Sequence, residues 1–323
     1  MGTLPSRSPE KSYEIKNAIT SINVKLVATH ENPYKALVAM AAATWGTGKS
    51  EYGEGSTGKW AKLTPENRYE VVRAVLTGNT LPTALEAVNF TFEVNGTPRH
   101  TFDQFARARI GIGFGSIGSR DNNKLDAPFV LYDELLSDLE NDPDLMAAFV
   151  EWTRQTKDLY ERLMGTNQGS WQTARAVLPM CYNHSFVFNA NLMAIRGQCG
   201  RRLMACEEGP MCALMWRIVQ EVGRKFPLLA VGMKPVCDRA KRCVYHEGPE
   251  GMTKYFSALF AGCGRWPTDE DYSEFNHSCT SYERLKELGV PVATVEEIVN
   301  FEKCMLGGYD NLMAQDRMLF EEA

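Results

Sequence analysis

The chain has no apolar run near the ~18 residues a membrane span needs; its longest candidates, such as residues 226–233, are short. A membrane partner is therefore not expected. The opening MGTLPSRSPEKSYEIKN carries no apolar stretch of the kind a secretory leader needs, so no leader is expected either. Positive charge is in deficit: 35 Lys+Arg face 40 Asp+Glu, for a net charge of -5. That balance argues against a nucleic-acid polymer as partner. It leaves room for a few arginines gathered on a single phosphate. Cysteine is modest and odd in number, at nine, which points to a reducing, cytoplasmic setting. Internal repeats and low-complexity tracts are absent. What is there, 323 residues with 44% apolar and 23% charged, is ordinary globular usage with material for a sizeable core.

The elements read as α+β. Residues 22–29 (INVKLVAT) form a β-branched run of strand type. A helix is predicted over 33–45, then an exposed Gly-rich loop over 46–59. Thr64 and Pro65 open the next helix as N-cap and first helical residue, and Gly78 closes it. Residues 90–94 (FTFEV) alternate like a strand before the turn signal Asn95-Gly96. Pro98 opens a helix to about Ile110. Another runs from Asp142-Pro143 to Met164, with Gly165 as its stop and Leu145, Phe149, Trp152, Leu159 and Leu163 on one stripe. Residues 189–203 and 213–225 also read as helices. The tail carries helices at 281–288 and 294–305, the latter opened by a capping box, Thr294 with Glu297. The division is a polar lead-in over 1–20, a catalytic unit over 21–265 and a helical extension over 266–323. A packing role, on the core or on a neighbouring subunit, is expected of that extension.

Three motifs are set aside. Residues 53–59 (GEGSTGK) spell a P-loop, but Trp60 stands where Ser or Thr must hold Mg²⁺. Gly113, Gly115 and Gly118 spell G-x-G-x-x-G, but a helix rather than a strand is predicted before them. Cys237, Cys243, His246 and Cys263 could supply soft zinc ligands, yet their spacing is looser than a zinc knuckle. Reduced thiols are favoured there and no metal is expected. Cys199, Cys206 and Cys212 read as packing residues.

Residues 85–122 (LEAVNFTFEVNGTPRHTFDQFARARIGIGFGSIGSRDN) carry the chemistry. On a helix from Pro98, the residues His100, Gln104 and Arg107 share a face, and Arg109 points elsewhere. With Arg120 they suit an anion held by forked donors and backbone amides. A solvated basic helix end explains the same residues equally well.

The segment resembles the signature of the flavin-dependent thymidylate synthases, where a strand leads into R-x-x-x-H-Q-x-x-R-H-R and then x-x-S-x-x-x-x-S-x-R-Y. Arg99, Gln104, Arg107, Arg109 and Arg120 fall on its arginines and glutamine. Residues 174–182 (ARAVLPMCY) are similar to A-R-x-x-L-P-x-x-x-Y, and Asn189-Ala190-Asn191 to the family's N-A-R. The likeness covers roughly residues 22–265. The chain departs from the pattern at Asn79, Asp103, Ala108 and Asp121, and either Gly118 or Ser119 takes the place of the second serine.

The resemblance implies C5 methylation of UMP or dUMP, with methylenetetrahydrofolate as carbon donor, FAD as hydride carrier and NADPH as reductant. It implies a site shared between subunits of a homotetramer. Gly118, Ser119, Arg120 and Arg175 would bind the nucleotide, and Gln104 and Arg201 (or Arg202) would read the pyrimidine and serve catalysis. Thr29, Asn79, Glu86, Arg107, Arg109, Ile110, Asn189 and Asn191 would hold the flavin. The glycines at 113, 115 and 118 loosen the cradle, which keeps C5 hydroxymethylation of dUMP or dCMP open beside methylation. A non-catalytic flavin- or nucleotide-binding homologue is the reading from another class.

Overall fold

The computed structural model describes residues 18–44, 55–116, 118–119, 122–166, 170–203, 207, 209–234 and 308–322. In chain order the elements are β1 (Asn23–Thr29), α1 (Pro33–Thr44), α2 (Gly55–Lys62), α3 (Pro65–Thr77), a 3-10 helix (Pro82–Ala87), β2 (Asn89–Asn95), α4 (Arg99–Phe105) and β3 (Ile112–Ser116). There follow α5 (Asp133–Asn141), α6 (Pro143–Met164), α7 (Trp171–Ala174), β4 (Phe186–Asn191), α8 (Leu192–Arg202), α9 (Gly209–Lys225), α10 (Pro227–Ala230) and α11 (Ala314–Glu321).

Capping chemistry sets helix ends at the positions the sequence indicates. Thr64 Oγ1 accepts from the Asn67 N–H, and Gly78 closes α3 at φ 79°, a left-handed position that glycine takes without steric cost. The Asp142 carboxylate accepts from the N–H groups of Asp144 and Leu145 to open α6.

Elsewhere long-range pairing overrides the local signals. The helix predicted from Pro98 to Ile110 stops at Phe105. The glycine-bearing stretch that follows is strand β3, its residues paired with β4 from Ile112–Ala190 to Ser116–Phe186. Phe114 alternates toward the core between Gly113 and Gly115, and pairing with β4 packs it, partly buried, against that core. Asn189 to Asn191 complete β4 rather than opening a helix; α8 begins at Leu192, with the Asn191 side chain as its cap. The loop predicted over 46–59 gives way at Gly55 to α2. Its Trp60, 3% exposed, donates from Nε1 to the Glu322 carbonyl. On α6 the predicted apolar stripe is largely outward: Leu145, Trp152 and Leu159 are 41–46% exposed, whereas Thr153, Thr156 and Tyr160 form the buried face.

The strands pair antiparallel in the order β1-β2-β4-β3, and the one parallel pairing among the described residues is an isolated bridge from Ile19 to Val130. One face of the sheet presents Phe90, Phe92, Val94, Phe186, Phe188 and Ala190, all buried, to the helical layer containing α9. Phe92 stacks on Phe188 at 5.0 Å, and Phe105 of α4 meets Phe188 edge-on at 5.2 Å. Each fully buried phenylalanine contributes roughly 2–3 kcal/mol of transfer free energy. The opposite face carries Lys25, Glu93, Asn189, Gly113 and Gly115, all exposed.

The last described segment returns to this core. Phe320 of α11 is fully buried, stacked on Tyr34 at 4.5 Å, and Arg68 donates from Nη1 to the carbonyls of Phe320 (2.6 Å) and Glu322 (2.8 Å). The predicted helices at 281–288 and 294–305, the Thr294–Glu297 capping box, and Cys206, Cys237, Cys243, His246 and Cys263 lie outside the described residues.

Candidate active site

Strand register gathers most of the flavin candidates at one end of the sheet. Thr29 lies opposite Phe90, Phe90 opposite Ala190, and Ala190 opposite Ile112. Thr29, Asn189, Asn191 and the chain entering β3 therefore share that end. Thr29 Oγ1 donates to the Asn89 carbonyl at 3.0 Å, and Asn189 Nδ2 donates to Thr91 Oγ1 at 3.1 Å. The Asn191 N–H donates to the Gly111 carbonyl, while its Oδ1 accepts from the Ala194 N–H. Gly111 turns the chain into β3 at φ 70°, and a Cβ there would meet the Asn191 amide at 2.7 Å. The approach of these two loops thus requires glycine.

Arg107, Arg109 and Ile110 form the turn before Gly111. All three are exposed, Ile110 to 93%. Arg107 falls beyond the end of α4, so the predicted shared face with His100 and Gln104 does not form; His100 meets the Tyr132 ring edge-on instead. Glu86 is exposed on the 3-10 helix leading into β2, and Asn79 is exposed just past α3, its N–H bonded to the Ala74 carbonyl.

The nucleotide candidates lie toward the other end. Gly118 and Ser119 follow β3 and are half-buried, and Arg120 lies outside the described residues. Arg175 is exposed at the start of a single 3-10 turn, Arg175–Val177. The strand-like stretch that follows is tied to the start of α4, where the Arg99 N–H donates to the Tyr182 carbonyl. Between the two groups stands β4, six residues long, which spans about 17 Å at ~3.4 Å per residue.

Two polar knots surround α4. In the first, Arg202 Nη1 pairs with Glu207 Oε2 at 2.7 Å, and Gln104 Nε2 donates to Glu207 Oε1 at 3.4 Å. Glu207 is 13% exposed at its side chain. Nothing in the sequence singles it out. Arg201, the residue favoured from the sequence, is exposed at the end of α8. In the second knot, Arg99 Nη2 pairs with Asp103 at 2.8 Å, and its Nη1 faces His184 Nδ1 at 3.3 Å. Asp103 stands where the family pattern has histidine, and here it serves as the i+4 partner of Arg99. His184 is fully buried, and burial first, then the Arg99 charge, hold its pKa down to about 4. The Cys181 thiol is pushed up to about 11 by burial, which makes it a poor nucleophile. No group of His, Cys, Asp and Glu among the described residues is arranged to hold a metal, and no described helix is long and apolar enough to cross a membrane.

Comparison with known proteins bears on this arrangement. The solved structure of a UMP/dUMP methylase, PolB from Streptomyces cacaoi, bound with 5-Br dUMP, matches with a TM-score of 0.55 at 15% identity. The match covers 67% of this chain and 96% of that one, and at such identity it speaks to the fold alone. No curated protein matches the chain. The family model described as thymidylate synthase complementing protein matches residues 25–228. That stretch is more than half of the chain and contains the sheet, apart from the first two residues of β1, and both groups of candidate residues, so this chain belongs to the thymidylate synthase complementing proteins, the flavin-dependent thymidylate synthase family.

Proposed function

We propose that the chain is a flavin-dependent methylase acting at C5 of UMP or dUMP, with methylenetetrahydrofolate as carbon donor and NADPH as reductant. One observation carries the reading: Arg107 and Arg109, in an acidic chain, stand exposed in the turn that enters the sheet at the end where Thr29 and Asn191 lie, with no ion pair to another described residue. Two uncommitted guanidinium groups at one end of a sheet suit a pyrophosphate. Beside them Glu86 and the Asn189 amide supply polar edges and Ile110 an apolar surface. The residues present therefore fit a flavin dinucleotide.

When bound, reduced FAD supplies a hydride and the folate supplies the carbon. The chain's own residues bind and orient. Arg107 and Arg109 neutralise the dinucleotide's phosphates, and Thr29, Glu86, Asn189 and Asn191 fix its polar edges. Asn79, just before the 3-10 helix, frames the same end. At the other end Arg175 holds the nucleotide phosphate as a forked donor, with Ser119 and the Gly118 backbone beside it and Arg120 following. Gln104 and an arginine at the end of α8 read the pyrimidine. The chemistry then rests on orientation and electrostatics around bound cofactors rather than on an activated thiol. Because β4 separates the two groups, the reading includes a homotetramer in which a second subunit completes each site.

The test begins with the purified protein. Flavin absorbance that survives desalting, and one methyl of mass gained by dUMP or UMP with NADPH and methylenetetrahydrofolate, are the expected results. Flavin binding without mass gain on dUMP, UMP or dCMP would favour a binding homologue. A one-carbon gain that retains oxygen would indicate hydroxymethylation. Arg175→Ala should weaken nucleotide binding on the order of tenfold to hundredfold, the scale of a lost charge-assisted fork, and leave flavin affinity unchanged.

A further inference from the structure

We infer that Glu207 is a positioning residue that selects the base, acting through Gln104 and Arg202; the inference rests on the nucleotide-binding reading above. A carboxylate can only accept hydrogen bonds. The edge of the Gln104 amide facing Glu207 Oε1 must therefore be its NH₂, as the 3.4 Å contact has it. The carbonyl, Gln104 Oε1, is forced to the other edge, where it is buried with no hydrogen-bond partner. Glu207 Oε2 meanwhile engages Arg202 Nη1 and leaves Arg202 Nε–H, also buried, with no partner.

The knot thus presents one unmatched acceptor and one unmatched donor. Buried orphans of this kind are rare and call for a partner. A uracil edge offers the complement, since N3–H donates and the adjacent C4 carbonyl accepts. On cytosine the same edge is reversed. N3 accepts, facing the Gln104 carbonyl, and the C4 amine donates, facing the Arg202 N–H. Both contacts are then mismatched. Glu207 touches no base in this arrangement; it decides which edge of Gln104 the base meets. Arg202, already held in the knot, is the reader in place of the exposed Arg201.

The experiment measures dUMP and dCMP affinity on the full-length, flavin-loaded protein by calorimetry, with N3-methyl-dUMP as a third probe. The unaltered protein should bind dUMP at least about a hundredfold more tightly than either of the others, the scale of a site that must match buried polar groups. Equal affinity for dUMP and N3-methyl-dUMP would overturn the inference without any variant. Glu207→Ala, or the isosteric Glu207→Gln should the first not fold, frees the amide to turn. The dUMP-to-dCMP ratio should then fall at least tenfold, and Glu207→Asp should restore part of it. Arg175→Ala is the control: it weakens both nucleotides and leaves their ratio unchanged, because they share the phosphate. A ratio unmoved by the Glu207 variants would overturn the role of Glu207 and leave the nucleotide site standing. Absence of binding by all three nucleotides would overturn the nucleotide-binding reading and this inference together.

Discussion

At the scale of single residues, His184 shows how a departure from the family pattern is absorbed. Arginine has no acceptor, so the contact from Arg99 Nη1 requires His184 Nδ1 to accept and places the ring proton on Nε2. That nitrogen is buried with no hydrogen-bond partner. A second proton on the ring would face the Arg99 cation. The neutral form is therefore held in the folded protein down to about pH 4, whereas an unfolded histidine protonates near pH 6.5. Between those values the unfolded chain binds the extra proton. The contribution of His184 to stability is intact above about pH 6.5 and is lost as the pH drops toward 4. The loss is roughly 3 kcal/mol, because each tenfold difference in proton affinity between the two states is worth about 1.4 kcal/mol. Thermal melts from pH 7.5 to 4 should show it in an Asp316→Asn background, which removes the opposite shift of that buried carboxyl. The variant His184→Gln should start lower, for the packing it gives up against Phe102, and should show a flatter acid limb. A limb as steep as that of the unaltered protein would assign the acid sensitivity elsewhere.

At the scale of elements, α11 behaves oppositely. Its Asp316 is buried between α1 and α10, accepting from the Tyr34 hydroxyl and the Leu228 N–H. Burial outweighs those two hydrogen bonds and raises the carboxyl to about 7. Folding binds the proton more tightly here, so docking of the segment is strongest below about pH 4 and is lost progressively as the pH rises through 7. Hydrogen exchange corrected for its intrinsic pH dependence should show protection of residues 314–321 falling from pH 5 to 8, by up to about tenfold for each step of one in pH. Asp316→Asn should remove that slope, and a slope that persists would exclude the carboxyl as its source. None of this is visible in the sequence, because α11 meets α1 and α10 only through contacts of long range. What is legible there is local. Thr64 and Gly78 declare α3 by side-chain and backbone preferences within one turn, and Asp142 with Gly165 does the same for α6. Strand β3 is hidden because two of its five residues are glycines on its outer face, leaving Ile112 and Phe114 as its apolar marks. Only pairing with β4, about seventy residues later, makes it a strand. The flavin candidates are named by the family motif, but their convergence follows from strand register. Glu207 stands in no motif at all.

At the scale of the molecule, the deficit of positive charge takes on meaning from where the arginines stand. Arg107 and Arg109 stand in the turn that enters the sheet at one end, whereas Arg175 lies on the 3-10 turn upstream of Phe186, the residue that opens β4 at the other. On the function proposed above, a single chain would hold its two anion-binding groups apart. A site that joins cofactor to nucleotide would then draw them from different chains, and closed symmetry would let each chain give one end and receive the other. This makes subunit sharing testable by complementation. Arg109→Ala should lose flavin and Arg175→Ala should lose nucleotide, each homo-oligomer being inactive. Co-expressed with different tags and purified through both, the two variants should form mixed assemblies. Sites that pair the intact flavin end of an Arg175→Ala chain with the intact nucleotide end of an Arg109→Ala chain regain both ligands. Random mixing across a two-chain site would restore about a quarter of the normal active sites. Titration with flavin and nucleotide together, and the methylation rate per subunit, should both report that fraction. Mixed assemblies as inactive as their parents would place the two ends in the same chain's site and would require the chain to close across its own sheet.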